Sequence, residues 1–254
     1  MNQLTRFEII TALSKHLESL DYVYALWEAG SAAFGRVDAY SDIDLHVIVA
    51  DAAVEQTFVQ CQSVLTALSP ITDQYRVPEP TWHGHSQIFY TLKNAPEFLL
   101  IDLAVMKAGS KEKFLQPEVH GEPVVLFDKT GAVTANPFDY EAHDAMLQDR
   151  IAHLGAMFAR MQSYVRKEIL RGNILDAMYF YPGTLRPLVE LLRIKYDPTR
   201  YNWGQRYLGF YLPPADRKKL ESLNLIKDIA DLDQKQKVAQ EWVKQLLDDL
   251  SEGG

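Results

Sequence analysis

The amino-acid sequence predicts an α/β domain followed by an all-α bundle. Helix and strand patterns alternate over residues 1–137, whereas residues 138–254 change to long helical periods. Charge divides at the same place: the first part holds nine Lys and Arg against 17 Asp and Glu, a net charge of −8, and the second part holds 17 of each. A change in both period and charge predicts two domains, over residues 1–137 and 138–254.

The first domain opens with a capping-box pattern, Thr5 with Glu8, which predicts the start of an amphipathic helix. A second helix is expected over residues 54–68, because Pro70 breaks the apolar period there. An Asn-Pro turn predicts the end of the domain at residue 137. β-Rich or alternating runs predict five strands, over residues 22–27, 42–49, 86–92, 98–106 and 123–127.

The second domain begins with a long predicted helix over residues 138–171, which Gly172 is expected to end. Asn173 can cap the following helix, and a Pro-Gly pair at residues 182–183 predicts an interruption before that helix reaches residue 196. The leucine spacing of the last helix fits either a bundle core or a homodimer face. An aromatic-rich loop and two closing helices are predicted over residues 197–214, 214–222 and 225–250.

Composition excludes several classes of protein. With 47% hydrophobic and 24% charged residues, the 254-residue chain has the make-up of a globular protein rather than a disordered or fibrous one. The single cysteine, Cys61, excludes an intramolecular disulfide, and no apolar run has the length of a membrane span or the form of a signal peptide. We therefore expect a cytoplasmic protein without a membrane partner. The acidic net charge argues against a protein that grips nucleic-acid backbone.

The most informative stretch begins at Gly30 and Ser31, which follow a predicted strand and open a short helix. A residue without Cβ allows a phosphate to approach the backbone, and the N–H groups of a helix start can donate to that anion together with the Ser31 hydroxyl. Asp42 and Asp44 stand two apart on the next predicted strand. That spacing projects both carboxylates from one face of the sheet.

A third acid, Asp102, lies alone in the apolar strand predicted over residues 98–106. A charge at such a place is costly unless it is paired or bound to a metal ion. If this strand neighbours that of Asp42 and Asp44, three carboxylates converge on one site, and hard oxygen ligands beside a phosphate pocket favour Mg²⁺. The alternatives are a solvated polar strand face for Asp42 and Asp44, and a buried acid paired with an arginine for Asp102.

A Gly-Ser pair, a spacer, Asp-x-Asp on a strand and a third strand acid together resemble the nucleotidyltransferase superfamily typified by DNA polymerase β. The longer run Gly-Ser-x-Ala-x-Gly-Arg-x-Asp-x-x-Ser-Asp-Ile-Asp-Leu is similar to small bacterial enzymes of the aminoglycoside and lincosamide nucleotidyltransferase type. The match covers residues 24–50 and 98–106. It implies an α+β fold, in which a mixed sheet with flanking helices is followed by an all-α helical bundle.

The resemblance further implies an enzyme that moves a nucleoside monophosphate from an NTP, with ATP as the favoured donor, to a hydroxyl group of a small-molecule acceptor. Such an acceptor would be an antibiotic in a resistance enzyme. Two Mg²⁺ ions would be held by Asp42 and Asp44, with Asp102 as a shared ligand, as the general base, or as both. Gly30 and Ser31 would hold the β- and γ-phosphates. Arg36 is a further candidate for a phosphate contact, with a solvated surface arginine as its alternative.

Three histidines lie close to these motifs. His46 shares the acidic strand face with Asp44, where we expect a hydrogen-bonded structural residue rather than a metal or substrate ligand. His83 and His85 stand two apart before a predicted strand. Two such ligands do not make a zinc site, and Cys61 is distant on a helix face, so lining of the catalytic cleft is their favoured functional interpretation.

A basic segment over residues 182–206 is a candidate to reach the nucleotide across a cleft between the domains, since it holds five cations against two acids. Arg186, which follows the Pro-Gly break, is the first candidate. Arg193 and one of Tyr179 or Tyr181 are further candidates, and a solvated helix face is the alternative for each. Four aromatic residues of the same region are expected to pack the bundle: Trp203, Tyr207, Phe210 and Tyr211.

Two rival functions stay open. One is nucleotide transfer to a protein side chain or a tRNA end, and the lack of a strongly basic composition disfavours the tRNA version. The other is a non-catalytic nucleotide-binding or antitoxin-like module, which the presence of all three carboxylates disfavours. The acidic first domain favours a cationic acceptor, such as an aminoglycoside, through electrostatic steering.

Overall fold

A computed structural model describes residues 3–252 of the chain and divides it into two compact units, the first ending at Phe138 and the second beginning at Asp139. The first unit contains a mixed sheet with flanking helices, and the second consists of helices, with a longer loop over residues 197–213. This is the α+β architecture that the sequence predicts. Within residues 3–252, no helix combines the length and the apolar character that crossing a bilayer requires.

The first unit is built on one six-stranded sheet. Its strands are β1 (Val23–Glu28), β2 (Ile43–Val49), β3 (Ile71–Arg76), β4 (Ser86–Leu92), β5 (Ile101–Lys107) and β6 (Val124–Asp128). They lie in the order β3-β4-β5-β2-β1-β6, where β2 and β5 pair in parallel and the other neighbours are antiparallel. The predicted alternation of the second strand is confirmed, because Ile43, Leu45 and Val47 are buried in the core while Asp44 and His46 are partly exposed on the other face.

Four helices accompany this sheet: α1 (Arg6–Glu18), α2 (Gly30–Ala33), α3 (Val54–Leu68) and α4 (Pro117–His120). The predicted capping box is present, with the Thr5 side chain accepting from the Glu8 N–H and the Glu8 carboxylate accepting from the Thr5 N–H. α1 and α3 bury their apolar stripes in the main core on one face of the sheet. A smaller apolar cluster, containing Trp27 and partly buried Phe114, lies on the opposite face.

The second unit contains the helices α5 (Tyr140–Leu170), α6 (Ile174–Phe180), α7 (Pro182–Tyr196), α8 (Pro214–Asn224) and α9 (Ile229–Glu252). Gly172 has φ of 73° directly after α5, the left-handed conformation that ends helices at glycine. The Asn173 side chain caps α6, and the chain breaks between α6 and α7 at the predicted proline. Each of these local predictions is confirmed, because capping and proline geometry act within one helical turn.

Two strand predictions differ from the structure. β3 is missing from the sequence-based prediction, because its residues are mostly exposed along the edge of the sheet and show no buried alternation. The strand predicted over residues 98–106 begins only at Ile101, since the preceding backbone turns, with the Leu99 N–H donating to the Pro96 oxygen at 3.0 Å.

Candidate active site

Asp44 and Asp102 lie directly opposite each other on the central strand pair. Strands β2 and β5 run in parallel, and their register pairs Asp44 with Asp102. Paired residues on neighbouring strands project from the same face and stand about 5 Å apart at the backbone. The two half-buried carboxylates are therefore neighbours, while Asp42 is exposed just before β2 begins.

Gly30 touches the Asp44 carboxylate. α2 follows β1 at once, and the Ala29 N–H donates to the Asp44 carbonyl oxygen at 2.8 Å. Gly30 has φ of 54°, and a Cβ placed on it would lie 2.5 Å from Cγ of Asp44 and closer still to Oδ2. A glycine is thus required at this position by the carboxylate itself, in addition to the phosphate approach that the sequence suggests.

Ser31 offers a hydroxyl group that the fold does not use. Its Oγ is buried and has no hydrogen-bond partner among residues 3–252. A buried hydroxyl without a partner costs about 1–3 kcal/mol, so such a group commonly serves a ligand. Arg36 is half-buried nearby in sequence, with its N–H donating to the Ser31 carbonyl oxygen at 2.9 Å and its guanidinium 5.4 Å from the centre of the Phe34 ring.

Gln87 holds the carboxylate of Asp102. Its Nε2 donates to Oδ1 at 2.7 Å and to Oδ2 at 2.9 Å. The pKa of Asp102 is raised from its usual 3.8 to about 6. Burial is the largest cause, the Gln87 hydrogen bonds oppose it, and the Asp44 and Asp42 carboxylates add to it. Sequence analysis misses Gln87, because its place on the polar face of β4 is the only local signal and does not identify a partner.

Arg6 is a second residue of this region that sequence analysis misses. From the first turn of α1 its guanidinium donates to the carbonyl oxygens of Ser41 and Asp42 and forms an ion pair with Glu28, a buried carboxylate at the end of β1. Burial lowers the pKa of Arg6, and the carboxylates of Asp44 and Asp42 partly offset that effect. Arg6 therefore ties the helix to the segment that carries the acidic motif.

Four of the five histidines of the first unit gather around one aromatic ring. The Phe114 ring centre lies 5.9 Å from that of His46, 5.8 Å from His83, 5.1 Å from His85 and 5.1 Å from His120. Burial, together with the charges of His120, His85 and His83, lowers the pKa of His46 to about 3, so the ring is neutral at physiological pH. His46 packs edge-on against Trp27 with ring centres 5.3 Å apart, but its Nδ1 is buried without a hydrogen-bond partner among residues 3–252, so the hydrogen bond expected for it is not found at this atom.

The described residues do not contain a preassembled metal centre. Over residues 3–252, no three or more His, Cys, Asp or Glu side chains are gathered closely enough to hold a metal ion. Cys61 is buried in α3 as a free thiol. The oxygen donors of Asp44 and Asp102 nevertheless match a hard divalent cation in type, and mutual repulsion of the carboxylates raises the pKa of Asp102.

The prediction for Arg193 is wrong, and Tyr181 drops out as one of the two tyrosine candidates. Arg193 is fully buried in α7, where it pairs with Asp197 at 2.6 Å and donates to the carbonyl oxygens of Gly204 and Arg206, so its charge is committed within the second unit. Tyr181 is buried as well and donates from its hydroxyl to the Leu223 oxygen at 3.0 Å. In the sequence, Arg193 has the character of a residue on a solvated helix face. In the structure it is buried, because the loop that follows α7 folds back over it.

The other candidates of this segment are accessible. Arg186 is exposed on α7 and Tyr179 is 77% exposed on α6, so contacts of either residue with a nucleotide stay predictions. Tyr207 and Phe210 are exposed at 42% and 67%, which contradicts their expected packing in the bundle. Trp203 and Tyr211 are half-buried, and the Arg200 guanidinium lies 5.8 Å and 5.6 Å from their ring centres.

Several solved structures resemble this chain at low sequence identity. No protein-family model matches the chain, and no curated protein matches it. Among solved structures, an aminoglycoside 6-adenyltransferase from Bacillus subtilis is 13% identical with a TM-score of 0.38, and the match covers 98% of this chain and 91% of that one. A nucleotidyltransferase-like protein from Exiguobacterium sibiricum is 14% identical with a TM-score of 0.35, covering 94% of this chain and 73% of its own.

A third solved structure is a STING-associated CdnE c-di-GMP synthase from Capnocytophaga granulosa. It is 16% identical with a TM-score of 0.32, and the match covers 100% of this chain and 85% of that one. A likeness with such low TM-scores carries no argument about activity, which therefore has to come from the side chains of the site.

Proposed function

We propose that this chain is a nucleotidyltransferase that moves a nucleoside monophosphate from an NTP to a hydroxyl group of a small-molecule acceptor. The observation that carries the proposal is the pairing of Asp44 with Asp102 across β2 and β5, with Gly30 against the Asp44 carboxylate. A solvated strand face would have no need for a glycine at that contact. Nor is Asp102 paired with an arginine, since its carboxylate accepts from the amide of Gln87.

The residues around this pair supply the parts of a nucleotide-transfer reaction. Ser31 contributes a buried hydroxyl donor for a phosphate oxygen of the NTP. Gly30 makes room for the Asp44 carboxylate beside it, and its own contact with the nucleotide stays a prediction. Asp42, Asp44 and Asp102 carry the hard oxygen donors that would hold Mg²⁺, which when bound neutralises phosphate charge and stabilises the leaving pyrophosphate. ATP is the nucleotide we favour, and Arg36 and Arg186 are candidates for further phosphate contacts.

Asp102 is our candidate for the group that acts on the acceptor. A carboxylate with a pKa of about 6 is ionised at neutral pH and is still basic enough to take a proton. Its oxygen would accept the proton of the acceptor hydroxyl while that oxygen attacks the α-phosphorus and the bond to the leaving pyrophosphate breaks. The same carboxylate can serve as a cation ligand, and the two roles are compatible because it has two oxygens.

The acceptor we favour is cationic. Residues 1–137 carry a net charge of −8, which raises the local concentration of a cation near an acidic site. An aminoglycoside has this chemistry, together with the hydroxyl groups that the reaction needs. Such an acceptor would make the chain an antibiotic-modifying enzyme.

The proposal is tested with purified protein, each of the four NTPs, Mg²⁺ and panels of cationic, neutral and anionic polyols, with mass spectrometry of the products. We expect one cationic acceptor to gain a nucleoside monophosphate, and the variants Asp44→Asn and Asp102→Asn to lose at least about 100-fold in rate. Asp73→Asn is the matched control, because Asp73 is exposed on the edge strand β3.

Three results would contradict parts of this proposal. Transfer only to neutral or anionic acceptors would remove the steering argument. Label from an NTP appearing on a protein or a tRNA in cell lysate would replace the small acceptor by a macromolecular one. Absence of transfer from every NTP to any acceptor, with an unchanged biological effect in Asp44→Asn, would favour a non-catalytic nucleotide-binding module.

A further inference from the structure

A continuous chain of hydrogen bonds leads from a surface loop to Asp102. Gln87 donates from Nε2 to both oxygens of Asp102, and its Oε1 lies 3.2 Å from Nε2 of His83. Nδ1 of His83 lies 3.1 Å from the backbone nitrogen of His85 and 3.3 Å from the Thr81 hydroxyl. The chain thus joins the loop before β4 to the carboxylate on β5.

The backbone N–H of His85 determines which group donates and which accepts in each bond that leads from His83 to Asp102. A backbone N–H can only donate, so Nδ1 of His83 accepts from His85 and the ring proton of the neutral imidazole sits on Nε2. Nε2–H then donates to Oε1 of Gln87, which directs the amide NH2 group towards Asp102. If the Gln87 amide were reversed, its oxygen would face the Asp102 carboxylate and its NH2 group would face Nε2–H of His83. Both of these contacts would be repulsive.

The histidine at the centre of the chain is held by rings on two sides. The ring centre of His83 lies 5.2 Å from that of Trp82 and 5.8 Å from that of Phe114, both in T-shaped arrangements. Phe114 adopts φ of 57°, a rare conformation for a residue with a side chain. Oε1 of Glu112 accepts from the N–H groups of Lys113 and Phe114, at 2.9 and 2.7 Å. These bonds stabilise the loop that carries Phe114.

We infer that Gln87 and His83 are positioning residues, which orient the carboxylate of Asp102 for the transfer reaction without touching the substrate. This inference rests on the proposed function of the site. It assigns the His83 side chain to the support of a catalytic carboxylate, rather than to a metal site or to direct lining of the cleft. Outer partners of this kind typically change activity 10- to 100-fold when they are lost.

Kinetics of four variants test the inference. Gln87→Met keeps the length of the side chain and removes the amide, and should lower kcat roughly 10- to 100-fold with KM for the NTP changed less than about twofold. His83→Phe keeps a ring and removes its nitrogens, and should lower kcat in the same direction. His83→Gln restores an N–H donor near the Nε2 position and should recover most of the loss. Gln74→Met, on the exposed edge strand β3, is the matched control and should keep wild-type kinetics.

A readout independent of activity is the tautomer of His83, measured by ¹⁵N NMR of the full chain in alkaline buffer. We expect Nε2–H to carry the proton, and an Nδ1–H tautomer would overturn the chain of donors. Wild-type kcat in Gln87→Met, while the wild-type protein transfers nucleotide, would overturn the positioning role and leave the proposed function intact. Absence of transfer by the wild-type protein from every NTP would overturn both.

Discussion

Replacing Gly30 with alanine should disable the site by moving the Asp44 carboxylate. The added Cβ would lie 2.5 Å from Cγ and 3.0 Å from Cβ of Asp44, and closer still to Oδ2. Real Cβ atoms do not tolerate such approaches, and Asp44 belongs to a central strand whose backbone is fixed by pairing on both sides. The carboxylate therefore has to rotate away by about 1 Å or more.

The size of the effect has two contributions that can be separated. A non-glycine residue at φ of 54° costs about 1–2 kcal/mol through the left-handed backbone conformation. Crowding of the Asp44 side chain adds about 1–3 kcal/mol, as in other overpacked sites. Loss of stability should thus be about 2–5 kcal/mol, and a displacement of about 1 Å at a catalytic group should lower the transfer rate about 100-fold.

The assay combines denaturant unfolding with nucleotide transfer from the NTP that the wild-type protein uses. Gly131→Ala is the control, because Gly131 also has positive φ, of 72°, but a Cβ there would meet nothing within 4 Å. The control should show only the backbone cost of about 1–2 kcal/mol and wild-type transfer. Wild-type transfer in folded Gly30→Ala, or equal loss of stability in both variants, would refute the contact with Asp44 as the reason for this glycine.

Three further predictions follow from the same residues. Ser31→Ala should leave stability unchanged or slightly raised, because the buried hydroxyl has no protein partner, and should raise KM for the nucleotide roughly 10-fold; an unchanged KM would show that the hydroxyl does not bind it. The pKa of Asp102 is raised in the folded state to about 6 from 3.8, so the folded protein binds this proton more tightly than the unfolded chain, and stability is lost as pH rises between about 4 and 6. For the wild-type protein this loss is at most about 3 kcal/mol, and Asp102→Asn should not show it. In metal-free buffer, the unfolding free energy of the variant should therefore rise relative to that of the wild-type protein between about pH 4 and 6. A difference that stays constant with pH would contradict the pKa shift. Arg193→Ala should destabilise the chain by about 3–5 kcal/mol, since it leaves Asp197 buried without its main partner, while Arg186→Ala should change it by less than about 0.5 kcal/mol in the same denaturant titration; equal effects would refute the burial of Arg193.

Local signals in the sequence predict much of the fold correctly. The capping box at Thr5, the helix end at Gly172 and the alternation in β2 each depend on residues within one or two turns or steps of the chain. The edge strand β3 escapes prediction because one neighbour and an exposed surface impose no apolar pattern on it. Burial of Arg193 escapes it too, because its acceptors include carbonyl groups of the following loop.

The sequence by itself determined that Asp44 and His46 share the polar face of β2, because the strand period of two places alternate residues together, and it indicated the nucleotide-transfer motif. Only the tertiary structure decided that β5 lies beside β2 in the register that sets Asp102 opposite Asp44. It also decided that Gln87 from β4 holds Asp102 and that Arg6 from α1 reaches the backbone before β2. Strand order and register depend on packing between segments far apart in the chain, and no local pattern of residues encodes a partner at that distance.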